Sequence, residues 1–437
     1  MSMVRSIELN TTSIGVVGLG YVGLPLAMAL QHRFSLCAYD RDKRRIDELH
    51  NGTDHTRSAN KEDLRAARES FTSDASLLKN CPFVIIAVPT PVTESCKPDL
   101  RPLQSAAQTV GRYLMRGAVV VIESTVFPGV TEDVLGPILA HESGMRCGID
   151  FFLGYSPERV NPGDQDHSLE TIPKVIAGQN EAATDLMEKV YGAIVHDVHR
   201  SANIKTAEAA KLLENTQRDV NIALVNEAAM IFHQLGVDTQ EVLRTAGTKW
   251  NFARFYPGLV GGHCIATDPY YLIHVAQENG HTPSLVLAGR QVNNSITRYV
   301  AEQTAKMIES QNVSLDQARV LILGFTFKED VPDTRNTRVA DIVNVLIERG
   351  LHCALFDSEA DAEDVRSTYG FELIENVEQD APYNAIIAAV KHRSFETLFP
   401  VKTLRALTIP ARGFLIDVKS LYDPAEVEAA GIAYWRL

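Results

Sequence analysis

The sequence predicts an α/β protein made of two doubly wound, Rossmann-like domains joined by a long central helix. Three observations predict it. Short apolar runs alternate with amphipathic helical patterns over the first 200 or so residues, the mark of a parallel sheet covered by helices. The stretch AEAAKLLENTQRDVNIALVNEAAMIFHQL then continues a helical pattern from about residue 204 to 235 with no internal glycine or proline. Near the C-terminus a strand, a helix and a strand ending in aspartate repeat the order seen at the start.

Element by element, the first section offers strands at 13–17, 36–39, 83–88, 118–123, 152–155 and 174–177, most with intervals long enough for a helical crossover. The second half of the long helix is apolar almost all round, so it needs cover on several sides. A place between domains or in a subunit interface meets that need, and so does the core of one domain. The last section begins with RVLILGF near residue 319, continues through a helix at 337–349 to HCALFD, and adds YNAIIAAV and FLIDV as buried strands. Its first turn, GFTFKE, lacks a glycine fingerprint, so a second dinucleotide is not expected there.

Composition limits the function classes. A chain of 437 residues has room for roughly three domains. Its net charge of −13 disfavours a non-specific grip on nucleic acid or an anionic membrane. The six cysteines (37, 81, 96, 147, 264, 353) show no C-x-x-C pair, which argues against a disulfide framework and a zinc site and for a reducing, cytoplasmic setting. The first fifteen residues lack a signal-peptide core, and no apolar run approaches the roughly 18 residues of a membrane span. A soluble protein with no bound metal is expected.

The segment SIGVVGLGYVGLPLAMAL sets Gly18, Gly20 and Gly23 in G-x-G-x-x-G register between an apolar strand and an Ala/Leu-rich helix. Gly18 permits a tight turn, Gly20 lets the backbone approach a pyrophosphate, Gly23 allows close helix packing, and the helix start offers unpaired N–H groups. Asp40 ends the next strand, where a carboxylate accepts from a ribose 2′-hydroxyl and repels a 2′-phosphate. NAD is therefore expected over NADP, although Arg41 is placed to attract that phosphate; FAD-dependent proteins share the fingerprint, and a Rossmann fold without cofactor is the remaining alternative. Tyr21 and Val22 inside the fingerprint, with Arg45, Thr90 and Thr125, complete the candidate cofactor contacts.

In FYPGLVGGHCIATDPYYL, Cys264 follows Gly261 and Gly262 and precedes Asp268 by four residues. Flanking glycines allow a ligand close to the thiol. A buried, inert cysteine fits the same residues, and metal ligation by His263 and Cys264 fits them less well. Lys211 and Asn215, four apart on the long helix, present two donors from one face that suit a developing oxyanion, or a merely solvated face. VPTP with Thr90, ESTVFPG with Thr125, and YSPERVNPGD with Glu158 and Arg159 follow strands, where doubly wound sheets bind ligands.

Taken in order, GVVGLGYVGLPLA, AVPTP, ESTVFPG, YSPERVNPGD, AEAAKLLENTQRDVNIALVNE, GTKWNF, PGLVGGHCIATDPYYL and GFTFKEDVPDTRNT resemble the UDP-sugar 6-dehydrogenase family over nearly the whole chain. The resemblance implies an NAD-binding domain at 1–203, a dimerising central region with the thiol loop at 204–312, and a UDP-sugar-binding domain at 313–437. It makes Cys264 the catalytic thiol, Lys211 and Asn215 the oxyanion donors, Asp268 a proton-handling carboxylate, and Thr125 and Glu158 the residues that order water. Substrate contacts fall on Glu158, Arg159, Val160, Lys211, Asn215, Arg254, Phe255, Tyr256, Gly261, Lys328 and Arg335, with Asp333 in the same UDP motif as the last two. A homodimer through the long helix is implied.

Pro162 replaces a glutamate of the glucose branch, and SPERVNPGD, AGTKWNF and PGLVGGHC look most like the branch acting on UDP-N-acetylglucosamine or UDP-N-acetylgalactosamine. The implied reaction is a four-electron oxidation at C6 through a thiohemiacetal and a thioester, for surface polysaccharide synthesis. UDP-N-acetylmannosamine or UDP-glucose is the alternative substrate, a two-electron hydroxyacid dehydrogenase the alternative reaction, and a non-catalytic NAD sensor the alternative class. Ala266 and Thr267 differ from relatives without a physical account.

Overall fold

A computed structural model describes residues 4, 5, 8, 12–160 and 168–437; Pro162 lies outside the described residues. By its contacts the chain divides into two compact units, one of residues 1–214 and 270–281, the other of 215–269 and 282–437. Residues 204–312 are thus apportioned between them.

The first unit carries β1 (Ser13–Val17), β2 (Ser35–Tyr39), β3 (Phe71–Thr72), β4 (Phe83–Ile86), β5 (Val119–Ile122), β6 (Phe152–Tyr155), β7 (Lys174–Gly178) and β8 (Val198–Arg200). They form one sheet in the order β3-β2-β1-β4-β5-β6-β7-β8. FVII and VVVI are buried throughout, which is why these strands read as unbroken apolar runs. Alternation still sorts their side chains: Ile85, Val119 and Val121 enter one core, and Val84, Ile86, Val120 and Ile122 the other. The chain leaves β1 for β2 on one side and returns to β4 on the other, so the strand order reverses beside β1, the place where doubly wound sheets form their ligand crevice.

The second unit carries β9 (Arg319–Leu323), β10 (His352–Phe356), β11 (Ala385–Ala388), β12 (Phe414–Asp417) and β13 (Ala433–Arg436), paired in parallel as β10-β9-β11-β12-β13. Val320 and Ile322 of β9 face one core, Leu321 and Leu323 the other. The chain is thus an α/β protein with two doubly wound sheets, and the helix Ile204–Leu235 runs unbroken between them in sequence.

Three departures from the sequence expectation have physical causes. The edge strands β3, β8 and β13 were not foreseen, because two residues, or VHR and AYWR with their half-buried and exposed side chains, carry no apolar run. β7 pairs antiparallel to β6 where a parallel sheet was expected. An antiparallel pair needs no helical crossover, and the described residues of the connection, 156–160 and 168–173, are not helical. The predicted helix at 337–349 is Val339–Glu348, shortened where Thr337 Oγ1 accepts from the Val339 N–H at 3.2 Å.

Candidate active site

The glycine fingerprint folds as its chemistry requires. Gly18 has φ +92°, and a Cβ on it would stand 2.7 Å from the Ala87 carbonyl oxygen. A Cβ on Gly23 would stand 1.8 Å from the Gly18 oxygen, so only glycine closes this turn. At Gly20 a Cβ would meet nothing within 4 Å, and the residue is exposed: backbone lies bare beside the start of the helix Gly23–Gln31. That arrangement suits a diphosphate. Asp40 is tied to it, Oδ2 accepting from the Leu19 N–H and Oδ1 from the Asp42 N–H, each at 2.9 Å.

Arg45 is buried and gives its guanidinium to the Leu19 carbonyl (2.9 Å), Glu48 (2.9 Å) and Asp54 (2.7 Å), so it braces the fingerprint turn from behind. Glu48, Asp54 and His55 are close enough together to hold a metal ion, but the Arg45 cation already bonds to all three. Tyr21, Val22 and Thr125 are half-buried around the same crevice side of the sheet. Thr90 is buried, and its carbonyl accepts from the Tyr271 hydroxyl at 2.9 Å.

Also in the first unit, the long helix brings Lys211 to Glu158. Lys211 is buried, and its Nζ donates to the Glu158 carbonyl at 2.5 Å. The Glu158 carboxylate accepts from the N–H groups of Arg159 (2.7 Å) and Val160 (2.5 Å), which closes the turn on itself. Arg159 pairs with Glu214 at 2.9 Å and donates to the Pro173 carbonyl. Behind this turn lies a buried group that the sequence reading missed. Lys174 Nζ donates to Glu123 at 2.6 Å and to the Pro157 carbonyl at 3.2 Å, and the Tyr191 hydroxyl donates to the other Glu123 oxygen at 2.6 Å. Burial pushes the Glu123 carboxyl up, and the Lys174 charge opposes the push. Glu208, also missed, accepts from the N–H groups of Gly129 (2.6 Å) and Thr131 (3.0 Å) and fastens the segment after Thr125 to the long helix.

In the second unit Cys264 is exposed on the turn that leads into the helix Asp268–Glu278. Its carbonyl accepts from the N–H groups of Thr267 (3.1 Å) and Asp268 (2.9 Å). Ala266, Thr267 and Asp268 are buried, and Asp268 Oδ2 accepts from Asn215 Nδ2 at 2.6 Å. Two predicted site residues thus meet directly. Burial pushes the His263 imidazole down, and the nearby Arg335 charge adds to the shift.

The thiol loop is held at three backbone points. Asn226 spans Gly258, accepting from its N–H at 2.8 Å and donating to its carbonyl at 3.1 Å. Arg338 Nε donates to the Val260 carbonyl at 3.3 Å. Asn336 donates from Nδ2 to the Gly262 carbonyl, and its own carbonyl accepts from the Gly262 N–H, both at 3.3 Å. Gly262 has φ +78°, and a Cβ on it would stand 2.6 Å from the Phe327 ring. Arg335 grips Asp333 with contacts of 2.6–3.1 Å, and Lys328 is half-buried in the same segment. Arg254 is exposed and donates to the Gly247 carbonyl at 3.0 Å; Phe255 is half-buried and Tyr256 exposed. Of the missed groups, Glu123 and Lys174 stand in sequence at the ends of apolar strand runs, where a charge is the one local signal. Asn226, Asn336 and Arg338 carried no such signal.

Comparison with known proteins agrees with this layout. The NAD binding domain of the UDP-glucose/GDP-mannose dehydrogenase family matches residues 12–195, its central domain 205–295 and its UDP binding domain 321–424. A UDP-N-acetyl-D-glucosamine 6-dehydrogenase of Salmonella typhi is 47% identical over 95% of this chain and 96% of its own. CapL of Staphylococcus aureus is 45% identical over 97% of this chain and 99% of its own. The solved UDP-D-ManNAc dehydrogenase of Pyrococcus horikoshii superposes with a TM-score of 0.87 at 30% identity, covering 97% of this chain and 99% of that one.

Proposed function

The chain belongs to the UDP-glucose/GDP-mannose dehydrogenase family, and from that membership we propose that it oxidises the C6 alcohol of a UDP-N-acetylhexosamine to the carboxylate. UDP-N-acetylglucosamine, UDP-N-acetylgalactosamine or both are the substrates, and the uronate product serves surface polysaccharide synthesis. One observation carries this reading: the 47% identity, along almost the full length of both chains, to a relative that bears the N-acetylglucosamine name.

NAD would supply the hydride acceptor, a first molecule for alcohol to aldehyde and a second for the covalent adduct to thioester. The rest is asked of the chain. Bare backbone at Gly20 and the helix start at Gly23 take the diphosphate, and Asp40 takes a ribose hydroxyl. Cys264, as thiolate, adds to the aldehyde carbon; the C=O pair moves onto oxygen, which gains a proton to give the thiohemiacetal. Lys211 and Asn215 donate to the oxyanions formed on addition and on hydrolysis. Asp268, held by Asn215, takes a proton from the attacking water, and the carbon–sulfur bond breaks with the electrons returning to the Cys264 sulfur. Thr125 and Glu158 orient that water, and Lys328, Arg335 and Arg254 hold the UDP diphosphate.

A homodimer through the long helix accompanies this reading, supported by Leu213, Leu224, Ile231 and Leu235, which stand exposed at intervals that fit one face of the helix. The scatter of the cysteines, with no C-x-x-C pair, supports a reducing, cytoplasmic setting, and among the described residues no helix is long and apolar enough to cross a membrane. The test is to supply NAD with UDP-N-acetylglucosamine, UDP-N-acetylgalactosamine, UDP-N-acetylmannosamine and UDP-glucose in turn, following NADH. Two NADH per sugar, with the highest kcat/KM on one of the first two, is expected. One NADH per sugar, or a preference for UDP-glucose, overturns the reading.

A further inference from the structure

The segment that carries Lys328 and Arg335 is also the segment that holds the thiol loop. Phe327 immediately precedes Lys328, and its ring packs so tightly on Gly262 that no side chain fits between them. Asn336 immediately follows Arg335 and exchanges two hydrogen bonds with Gly262. A Cβ on Gly261 would stand 2.8 Å from the Asn336 carbonyl oxygen, so the two backbones touch there as well. Cys264 is two residues further on. Asn336 has φ +52°, an uncommon backbone state for a residue with a side chain. The Thr337 hydroxyl beside it accepts from the Val339 N–H at the start of the helix Val339–Glu348, and Arg338 reaches on to Val260, Asn294 and Asp341.

We infer that Asn336 and Phe327 are positioning residues that couple occupation of the Lys328/Arg335 diphosphate site to the placement of the Cys264 thiol. The inference rests on the proposed reading of Lys328 and Arg335 as holders of the UDP diphosphate. Its physical content is short-range. A diphosphate that draws the two cations inward shifts residues 327 and 336 with them, because each is covalently adjacent. Gly262 is bound to both through contacts too close to absorb the shift, so the thiol loop follows. The placement of the thiol then depends on whether the nucleotide half of the substrate is seated.

The experiment measures alkylation of Cys264 by iodoacetamide in the full-length protein, with and without saturating UDP. Peptide mass spectrometry separates Cys264 from the exposed Cys96, and calorimetry measures UDP binding independently. In the parent protein UDP should change the Cys264 rate by at least about fivefold. Asn336→Gly keeps the left-handed backbone unstrained and removes the side-chain donor but not the backbone bond, so it should still bind UDP while its thiol rate responds less than the parent's. Phe327→Leu should show the same uncoupling and serves where the first variant folds poorly. UDP binding with an unchanged thiol rate in the parent overturns the coupling alone. A variant that responds as the parent does also overturns it, since direct shielding by UDP would survive the substitution. Absence of UDP binding in the parent overturns the diphosphate reading beneath it.

Discussion

Cys264 stands exposed while the carboxylate four residues later is buried and bonded to Asn215, and in the proposed mechanism the first is the nucleophile and the second the proton acceptor. Replacing Cys264 with serine removes the thiolate, and a hydroxyl is a far weaker nucleophile without a base beside it. Uronate formation is expected to fall on the order of 10³-fold or more, measured as NADH released at saturating substrate. Asn215→Ala deletes an oxyanion donor and leaves a buried Asp268 oxygen without the amide it accepts from. A kcat loss of about 10²–10³ is expected, with KM little changed. Lys328 touches the other end of the substrate in our reading, so Lys328→Ala should raise KM far more than it lowers kcat. The reverse pattern would remove it from the diphosphate role.

At the scale of elements, the fingerprint turn and the thiol loop are both built on glycines that admit no substitute. Gly23→Ala drives a methyl into the Gly18 carbonyl, so loss of NAD binding by calorimetry is expected even where the fold survives. Both loops were legible in the sequence because glycine spacing is local: G-x-G-x-x-G after a strand and GGHC before an apolar helix announce themselves within a few residues. The residues that hold them were not. Asn226 lies 32 positions from Gly258, and Lys174 51 from Glu123, so only the folded chain reveals these pairings. The long helix was legible from its missing helix breakers, yet which of its apolar residues stay uncovered was not. Leu224→Glu combined with Ile231→Glu should convert the proposed dimer to monomer in sedimentation while far-ultraviolet circular dichroism is retained.

Across the whole molecule the two sheets repeat one device. Asp40, just after β2, ties the turn after β1; Asp357, just after β10, accepts from the N–H groups of Phe325 and Thr326 in the turn after β9. Sequence order showed the repeat; the second turn keeps one glycine of the three, Gly324 at φ +93°, and His392 joins Asp357 in closing it. Burial alone would raise the Asp357 carboxyl, but the His392 ring and the backbone donors outweigh it and hold it at about 2, below the usual 3.8. A lowered folded value stabilises above the unfolded one and is lost as pH falls through it. Stability worth about 2 kcal/mol should therefore vanish between about pH 4 and pH 2. Calorimetric Tm across that range checks this, and Asp357→Asn should flatten the acid limb. The Asp40 tie has a practical reach as well. Both of its oxygens already serve the main chain, so anyone retooling the protein for a 2′-phosphorylated coenzyme by exchanging this one side chain would loosen the very bend that receives the pyrophosphate. A successful redesign must first supply Leu19 and Asp42 with another acceptor.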